Sequence, residues 1–303
     1  MNDIAALVFE ESDIDFDKYM DDIPENAKVL PSCHFRDAVK KSFLNPEVER
    51  GMRLPWRKAT EFRFRDYEYT LWTGYNGHKK SMMLGFVMLG MVAQGQKVCI
   101  ASLEMPAVST LARMAQQYTG WEPTMPQTDS YFDWLEGSLW LFNQTGSMEA
   151  DRMLAVIRYA IAEKGVDHFV IDSLMMCGIG EDDYNKQKSF SADLATISKD
   201  TGCHIHLVAH SRKPADGKEG VPSTKYGVAG SANLTNIPDN VIVVFQEKDE
   251  SKDCDAMFIV EKQRNGKKEP RYYLNFDEGS LQFKGSKFNQ KLEAADWSEQ
   301  RWQ

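Results

Sequence analysis

The sequence predicts an α/β fold, a mostly parallel sheet flanked by helices with an antiparallel extension at one edge. Three observations carry this. From Gly51 onward short apolar stretches alternate with helical ones, and strand, helix, strand repetition produces parallel strands covered on both faces. The last strands follow one another closely, which suits antiparallel neighbours. The length of 303 residues and 42% hydrophobic content suffice for a sizeable buried core.

Residues 1–30 hold nine acids against Lys18 and Lys28, a net −7, and read as a solvated or disordered arm. The interspersed Ile4, Leu7, Val8, Phe9, Ile14 and Phe16 leave open that it docks on a partner subunit. Between His34 and Arg50, Phe35, Val39 and Phe43 recur at helical spacing before Pro46. A helix that short is marginal alone, so it needs something to pack on. Strands are expected at 69–73, 98–102, 139–143, 168–171, 204–209, 241–246, 257–261 and 272–276, with helices at 81–93, 107–118, 148–163 and 190–201. The boundaries follow: arm and linker helix over 1–50, one large domain over 51–285, and a polar tail over 286–303.

Composition excludes several classes. A formal charge of −9 argues against a protein that coats nucleic acid or an anionic membrane through its general surface, so any nucleic-acid contact must be local. The longest apolar run, Met82 to Ala93, falls short of the roughly 18 residues of a membrane span. The opening MNDIAALVFEESDIDFD lacks a basic n-region and a long apolar h-region, so a secretory signal is not expected from it. Five scattered cysteines without CxxC spacing suit a reducing cytoplasm better than a disulfide framework or a zinc site.

The stretch YTLWTGYNGHKKS, residues 69–81, joins an apolar strand to an apolar helix through a glycine-containing loop. In the phosphate-loop pattern G-x-x-x-x-G-K-[ST], backbone N–H groups and the helix amino end wrap phosphates, the lysine reaches the outer phosphates and the hydroxyl binds Mg²⁺. Gly74, Asn76, Gly77, His78, Lys79, Lys80 and Ser81 are therefore candidates to hold ATP or another nucleoside triphosphate. One letter departs, because position 79 is Lys where the pattern has glycine. A side chain there adds bulk at the tightest point of the loop, while a second cation beside phosphate is attractive. The sequence does not sign the net effect.

Glu104 follows the second core strand in SLEMP, at the edge where open α/β sheets bind ligands. A carboxylate there orients and deprotonates an attacking water, although acids at helix starts are common. Asp172 ends a strand in HFVIDS, as a carboxylate holding Mg²⁺ must, or else merely turns the chain. His210 ends another strand in VAHSRKP, at the same edge if the sheet is parallel, where it either senses the γ-phosphate or is structural.

In order, WTGYNGHKKS, SLEMP, HFVIDS, VAHSRKP, GVAGSANLTNIPDNVIVV and EKQRNGKKEP resemble the RecA-like motor domain of DnaB-type replicative helicases, especially phage and Twinkle-like members. The resemblance spans roughly Gly51 to Phe283 and implies a RecA-like P-loop NTPase core. It implies catalytic roles for Glu104 and Lys80, Mg²⁺ held by Ser81 and Asp172, and a switch at His210. The K-x-R-N-G element implies that Lys262 and Arg264 enter a neighbouring subunit's nucleotide site. Two cations two residues apart on a strand share a face, which also suits an edge strand guarded against aggregation. The family forms hexameric rings with a linker helix packed on the next subunit, which would cover the face of Phe35 and Phe43.

Two loops at the same edge are candidates for single-stranded DNA. Residues 177–189 carry Lys186 and Lys188, and residues 211–229 carry Arg212, Lys213, Lys218 and Lys225 with a local charge of +2. Cations in such loops track a phosphate backbone without reading sequence, unless the loops are simply solvated. The lead expectation is an ATP-driven, DNA-unwinding ring of phage or prophage origin in a bacterial cytoplasm. No primase-like region is visible, so a separate primase, a polymerase or a single-strand-binding protein are the expected partners. A RecA-like recombinase or mediator stays open, as does an assembly or loading subunit whose phosphate loop Lys79 has spoiled.

Overall fold

A computed structural model describes residues 8–20, 31–44, 51–180, 182–212, 220–230, 232–249 and 251–297. Along the chain lie β1 (Val8–Phe9), α1 (Phe16–Met20), α2 (Arg36–Leu44), β2 (Met52–Arg53), β3 (Arg63–Phe64), β4 (Tyr69–Thr73) and α3 (Lys80–Val92). There follow β5 (Val98–Ser102), α4 (Ala107–Thr119), α5 (Met125–Leu135), β6 (Leu139–Phe142), α6 (Ala150–Tyr159), β7 (His168–Asp172) and α7 (Tyr184–Thr201). Last come β8 (His204–Val208), α8 (Asn233–Asn236), β9 (Asn240–Gln246), β10 (Ala256–Gln263), β11 (Arg271–Asp277) and β12 (Gln282–Lys284).

The large sheet has the order β1-β6-β5-β7-β8-β4-β9-β10-β11-β12. Its first seven strands run parallel and the last three continue antiparallel, which is the expected architecture. Every residue of β4, β5, β6, β7 and β8 is buried, as strands covered on both faces must be. Helix α3 is apolar all round and buried from Met83 to Val92, the mark of a helix inside a core rather than on a surface. α3 and α4 pack on one face of the sheet, while α1, α6 and α7 supply the other.

Two expectations about the ends need correction. The acidic segment is no solvated arm over residues 8–20, and it docks on its own chain. Phe9 pairs beside Phe142 as a parallel edge strand, and Phe9, Ile14 and Tyr19 are buried. Its acids stay outside, where Glu11 meets Arg152 at 3.1 Å and the Tyr19 hydroxyl bonds Glu163. Nor are the described residues of the expected tail, 286–297, only a tail: Leu292 and Trp297 are buried, and the Trp297 indole donates to the Tyr118 carbonyl at 3.0 Å. α2 forms as expected, with Phe43 81% and Leu44 78% exposed. Among the described residues no helix is long and apolar enough to cross a membrane.

The structure adds α5, absent from the expected helices, whose Thr124 and Gln127 make a reciprocal capping box. It also stacks the rings of His168, His204 and His206 between β7 and β8, all three fully buried. Their hydrogen bonds assign the protons. The Trp72 indole only donates, so His206 Nδ1 accepts from it at 3.1 Å and Nε2–H donates to His168 Nδ1 at 3.0 Å. The Arg65 carbonyl only accepts, so His204 Nδ1–H donates to it, and because burial keeps this ring neutral at pH 7 its Nε2 accepts from Thr70 at 2.7 Å. Each ring is neutral. Burial pushes all three below the ordinary value of 6.5, His204 to about 4.

The unfolded chain thus binds protons at pH values where the folded chain does not. Stability contributed by the stack is complete above pH 6.5 and is lost as pH falls toward 4, by up to about 1.4 kcal/mol per pH unit for each histidine. Urea midpoints at pH 7.5, 6 and 5 are expected to fall progressively; a midpoint that stays level across that range would contradict the neutral stack.

Candidate functional site

β4 lies between β8 and β9 and opens at its carboxyl end into residues 74–79. Gly74 has φ 149°, and a Cβ there would sit 2.2 Å from the Val244 carbonyl oxygen, so only glycine fits. Asn76 and Gly77 form the exposed tip. His78 turns inward: its buried ring packs against Tyr75 and Phe245, and its Nδ1 accepts from the Gln246 N–H at 3.0 Å. The side chain is thus a strut that ties the loop to β9.

Lys79 takes the left-handed conformation, φ 59° and ψ 28°, at the amino end of α3. Its ammonium donates to Gln246 Oε1 at 3.3 Å and sits 4.7 Å from the centre of the Phe276 ring. The backbone does what the pattern's glycine would do, while the side chain reaches across to β9 and β11. A Cβ in this conformation costs about 1–2 kcal/mol, and a cation over an aromatic face returns about 0.5–1 kcal/mol. No side chain caps α3, so its first-turn N–H groups remain available to an anion.

Lys80 is only 6% exposed. Its Nζ donates to the Gly74 and Tyr75 carbonyls, both at 3.0 Å, and lies 3.3 Å from His210 Nδ1. Burial pushes the ammonium's pKa down, against the pull of Asp172 and Glu104. Asp172 is raised by burial and lowered by the hydrogen bond from Ser81, with Glu104 raising it further. Glu104 accepts from the Ser173 hydroxyl and lies 3.5 Å from His210 Nε2. His210 first, and then Ser173 and Lys80, hold the Glu104 carboxyl at about 2. An ammonium only donates, so His210 accepts from Lys80 through Nδ1 and directs Nε2–H at Glu104.

The supports of these groups come from neighbouring strands. Leu103 N–H donates to the Asp172 carbonyl at 2.9 Å, and Ser211 N–H to the Gly74 carbonyl at 3.1 Å. The structure therefore gathers Gly74, Lys80, Ser81, Glu104, Asp172 and His210 at one sheet edge. An uncapped helix end, a buried ammonium and a Ser81–Asp172 hydroxyl–carboxylate pair fit a nucleoside triphosphate with Mg²⁺. Ser173, Gln246 and Phe276 were missed by sequence reasoning; only Ser173 had a sequence signal, its place beside the strand-end acid of HFVIDS.

Lys262 and Arg264 are not brought to this edge. Gln263 stands opposite Asn240, which pairs with Thr70 near the start of β4, at the far end of that strand from the loop. Lys262 Nζ donates to the Thr235, Asn236 and Pro238 carbonyls at 3.0, 2.7 and 2.6 Å, and Arg264 Nε lies 3.5 Å from Asp239. Burial, followed by Arg264, lowers Lys262 to about 8. Lys186 and Lys188 are in the first turns of α7 rather than in a loop, because Asp183 caps that helix by accepting from the Lys186 N–H. Arg212 is exposed and donates to the Gly230 carbonyl at 2.9 Å. Lys225 donates to the Glu261 carbonyl at 3.4 Å. Lys213 and Lys218 lie outside the described residues.

The sheet order and the loop after β4 define the class: a P-loop NTPase fold of the RecA type. Within that class, the family described as AAA domain matches residues 63–216, just over half of the chain, and the chain belongs to it. Among solved structures, the chain is similar to one described as an ATPase domain, with a TM-score of 0.66 and 13% identity over 82% of this chain and 97% of that one. It is also similar to a DnaB-like replicative helicase described with its interactions with primase, with a TM-score of 0.69 and 13% identity over 84% of this chain and 67% of that one. The fold is thus the RecA-like motor fold of DnaB-like helicases.

Lys79 separates backbone strain from side-chain contacts. Lys79→Gly relieves the left-handed Cβ and loses the contacts, so unfolding free energy should change by less than about 1 kcal/mol. Lys79→Ala keeps the strain and loses the contacts, lowering stability by about 1–2 kcal/mol. Urea unfolding of both variants checks this, and equal losses would assign the effect to the contacts alone.

Proposed function

We propose that the protein is an ATP-dependent replicative DNA helicase that moves along single-stranded DNA as a hexameric ring and unwinds duplex. One observation carries the reading: the chain gathers a phosphate loop, Glu104, Asp172 and His210 at one edge and holds Lys262 and Arg264 at the other end of β4. A site whose finger cations point elsewhere is completed by the next subunit of a head-to-tail assembly. The exposed Phe43 and Leu44 of α2 would be covered by that neighbour.

In this reading the α3 amino end and Lys80 bind the phosphates, while Ser81 and Asp172 hold Mg²⁺. Such an ion, when bound, would supply positive charge that offsets the negative charge of the phosphates. Glu104, kept ionised by His210, orients a water whose oxygen attacks the γ-phosphorus. Its proton goes to the carboxylate as the bond to the β-phosphate oxygen breaks. Arg264 and Lys262 of the adjacent subunit stabilise the transferring group. His210 would link the γ-phosphate to the segment that begins at Ser211, and Arg212, Lys213, Lys218 and Lys225 of that segment, together with Lys186 and Lys188, would contact the DNA backbone. A separate primase, a polymerase or a single-strand-binding protein would act with it in the cytoplasm of a phage-infected bacterium.

Single-stranded DNA should stimulate hydrolysis, and Lys80→Ala or Glu104→Gln should reduce turnover by about a hundredfold or more. No hydrolysis of any nucleoside triphosphate with DNA present would sink the proposal. Mixing Lys80→Ala subunits with Arg264→Ala subunits should restore part of the turnover, since about a quarter of random interfaces then pair an intact loop with an intact finger. Mixtures as inactive as their parents would refute completion in trans. A second reading, a loading subunit impaired at the loop, draws on the left-handed Lys79; on it Lys79→Gly raises turnover, whereas the helicase reading expects little change.

A further inference from the structure

The chain leaves the nucleotide edge at His210 and returns to it at Ala229. Ala229 N–H donates to the His210 carbonyl at 2.9 Å, Arg212 N–H to the Gly227 carbonyl at 2.7 Å, and Ser211 bridges Val228 antiparallel. The returning segment carries a tight turn, Lys225–Gly227, closed by Gly227 N–H on the Thr224 carbonyl at 2.9 Å. The other side of the turn is tied to β10, where Lys225 reaches Glu261 through both its backbone N–H and its ammonium, each at 3.4 Å. Val228 and Ser223, on either side, are buried. Between these fixed points the Tyr226 ring is 84% exposed.

A backbone tied at both ends therefore presents one large aromatic face to solvent. The Lys225 ammonium lies 5.6 Å from the centre of that ring, and Arg212 is exposed on the paired segment. Ala229 and His210 together line a cavity of about 340 Å³ at the same edge. An aromatic face with adjacent cations has the chemistry that takes a nucleobase and its phosphate at once. Holding the ring on a fixed turn means that little freedom is lost on binding.

Resting on the single-strand reading above, we infer that Tyr226 is a base-stacking platform for the strand, carried by the turn that joins the His210 segment to the strand bearing Lys262. Arg212 and Lys225 hold the backbone, and the ring contacts a base. Because every base has a π-face, this contact adds affinity with little sequence preference. Tyr226 bonds to none of the groups gathered at the nucleotide edge, so its contribution should be separable from hydrolysis chemistry.

The test measures, by fluorescence anisotropy with a non-hydrolysable ATP analogue, binding of a thymidine oligomer and of an abasic oligomer of equal length. Tyr226→Ala should weaken the thymidine oligomer by about tenfold or more, leave the abasic oligomer unchanged, and be rescued by Tyr226→Phe. Equal weakening of both oligomers, or of neither, overturns stacking. If the unsubstituted protein binds neither oligomer, the DNA reading itself fails and the inference with it. Thermal unfolding of the variants, expected to be unchanged for so exposed a ring, excludes loss of fold.

Discussion

A buried ammonium organises the nucleotide edge. Removing a charge from water is strongly unfavourable unless acceptors and opposite charge surround it, and Lys80 is enclosed by two carbonyl oxygens, His210 and the fields of Asp172 and Glu104. These groups come from the ends of β4, β8, β7 and β5. The sheet order β5-β7-β8-β4 is what sets those four ends side by side. The same order leaves β9 on the other flank of β4 to hold the loop through His78 and Lys79. One electrostatic requirement thus ties the topology to the chemistry.

The parts legible in the sequence were those in which residue type and element coincide. Strand ends carrying an acid or a histidine, and a loop between an apolar strand and an apolar helix, located Glu104, Asp172, His210 and Lys80 at one edge. The docked amino-terminal segment was not legible, because its acids dominate the local composition while burial rests on a few scattered apolar residues, chiefly Phe9, Ile14 and Tyr19. Trp297 was hidden in the same way by polar neighbours. The stacked histidines arise from register: His168 stands beside His204, and Val170 beside His206. No local pattern carries information about which residue of a distant strand will lie alongside.

Lys79 shows the difference between a motif's letter and its physics. What the loop requires at that position is a left-handed backbone, which glycine adopts without strain. Here a lysine adopts it, and its long side chain compensates by reaching Gln246 and Phe276. The pattern's missing glycine is therefore a statement about strain and its compensation, and only secondarily about phosphate. Side-chain length matters in this substitution, since a short residue would bring the strain without reaching the compensating partners.

The placement of β4 has a consequence for how the protein comes into being. Its flanking strands are synthesised much later, and the pairs Thr70–His204 and Thr70–Asn240 span 134 and 170 residues. The strand that carries the phosphate loop therefore cannot acquire either neighbour until most of the chain has been translated. Contacts so distant in sequence carry a high loop-closure entropy and form slowly. A nascent chain that still lacks β8 and β9 leaves both hydrogen-bonding edges of β4 without their native partners, and unpaired strand edges of that kind favour aggregation.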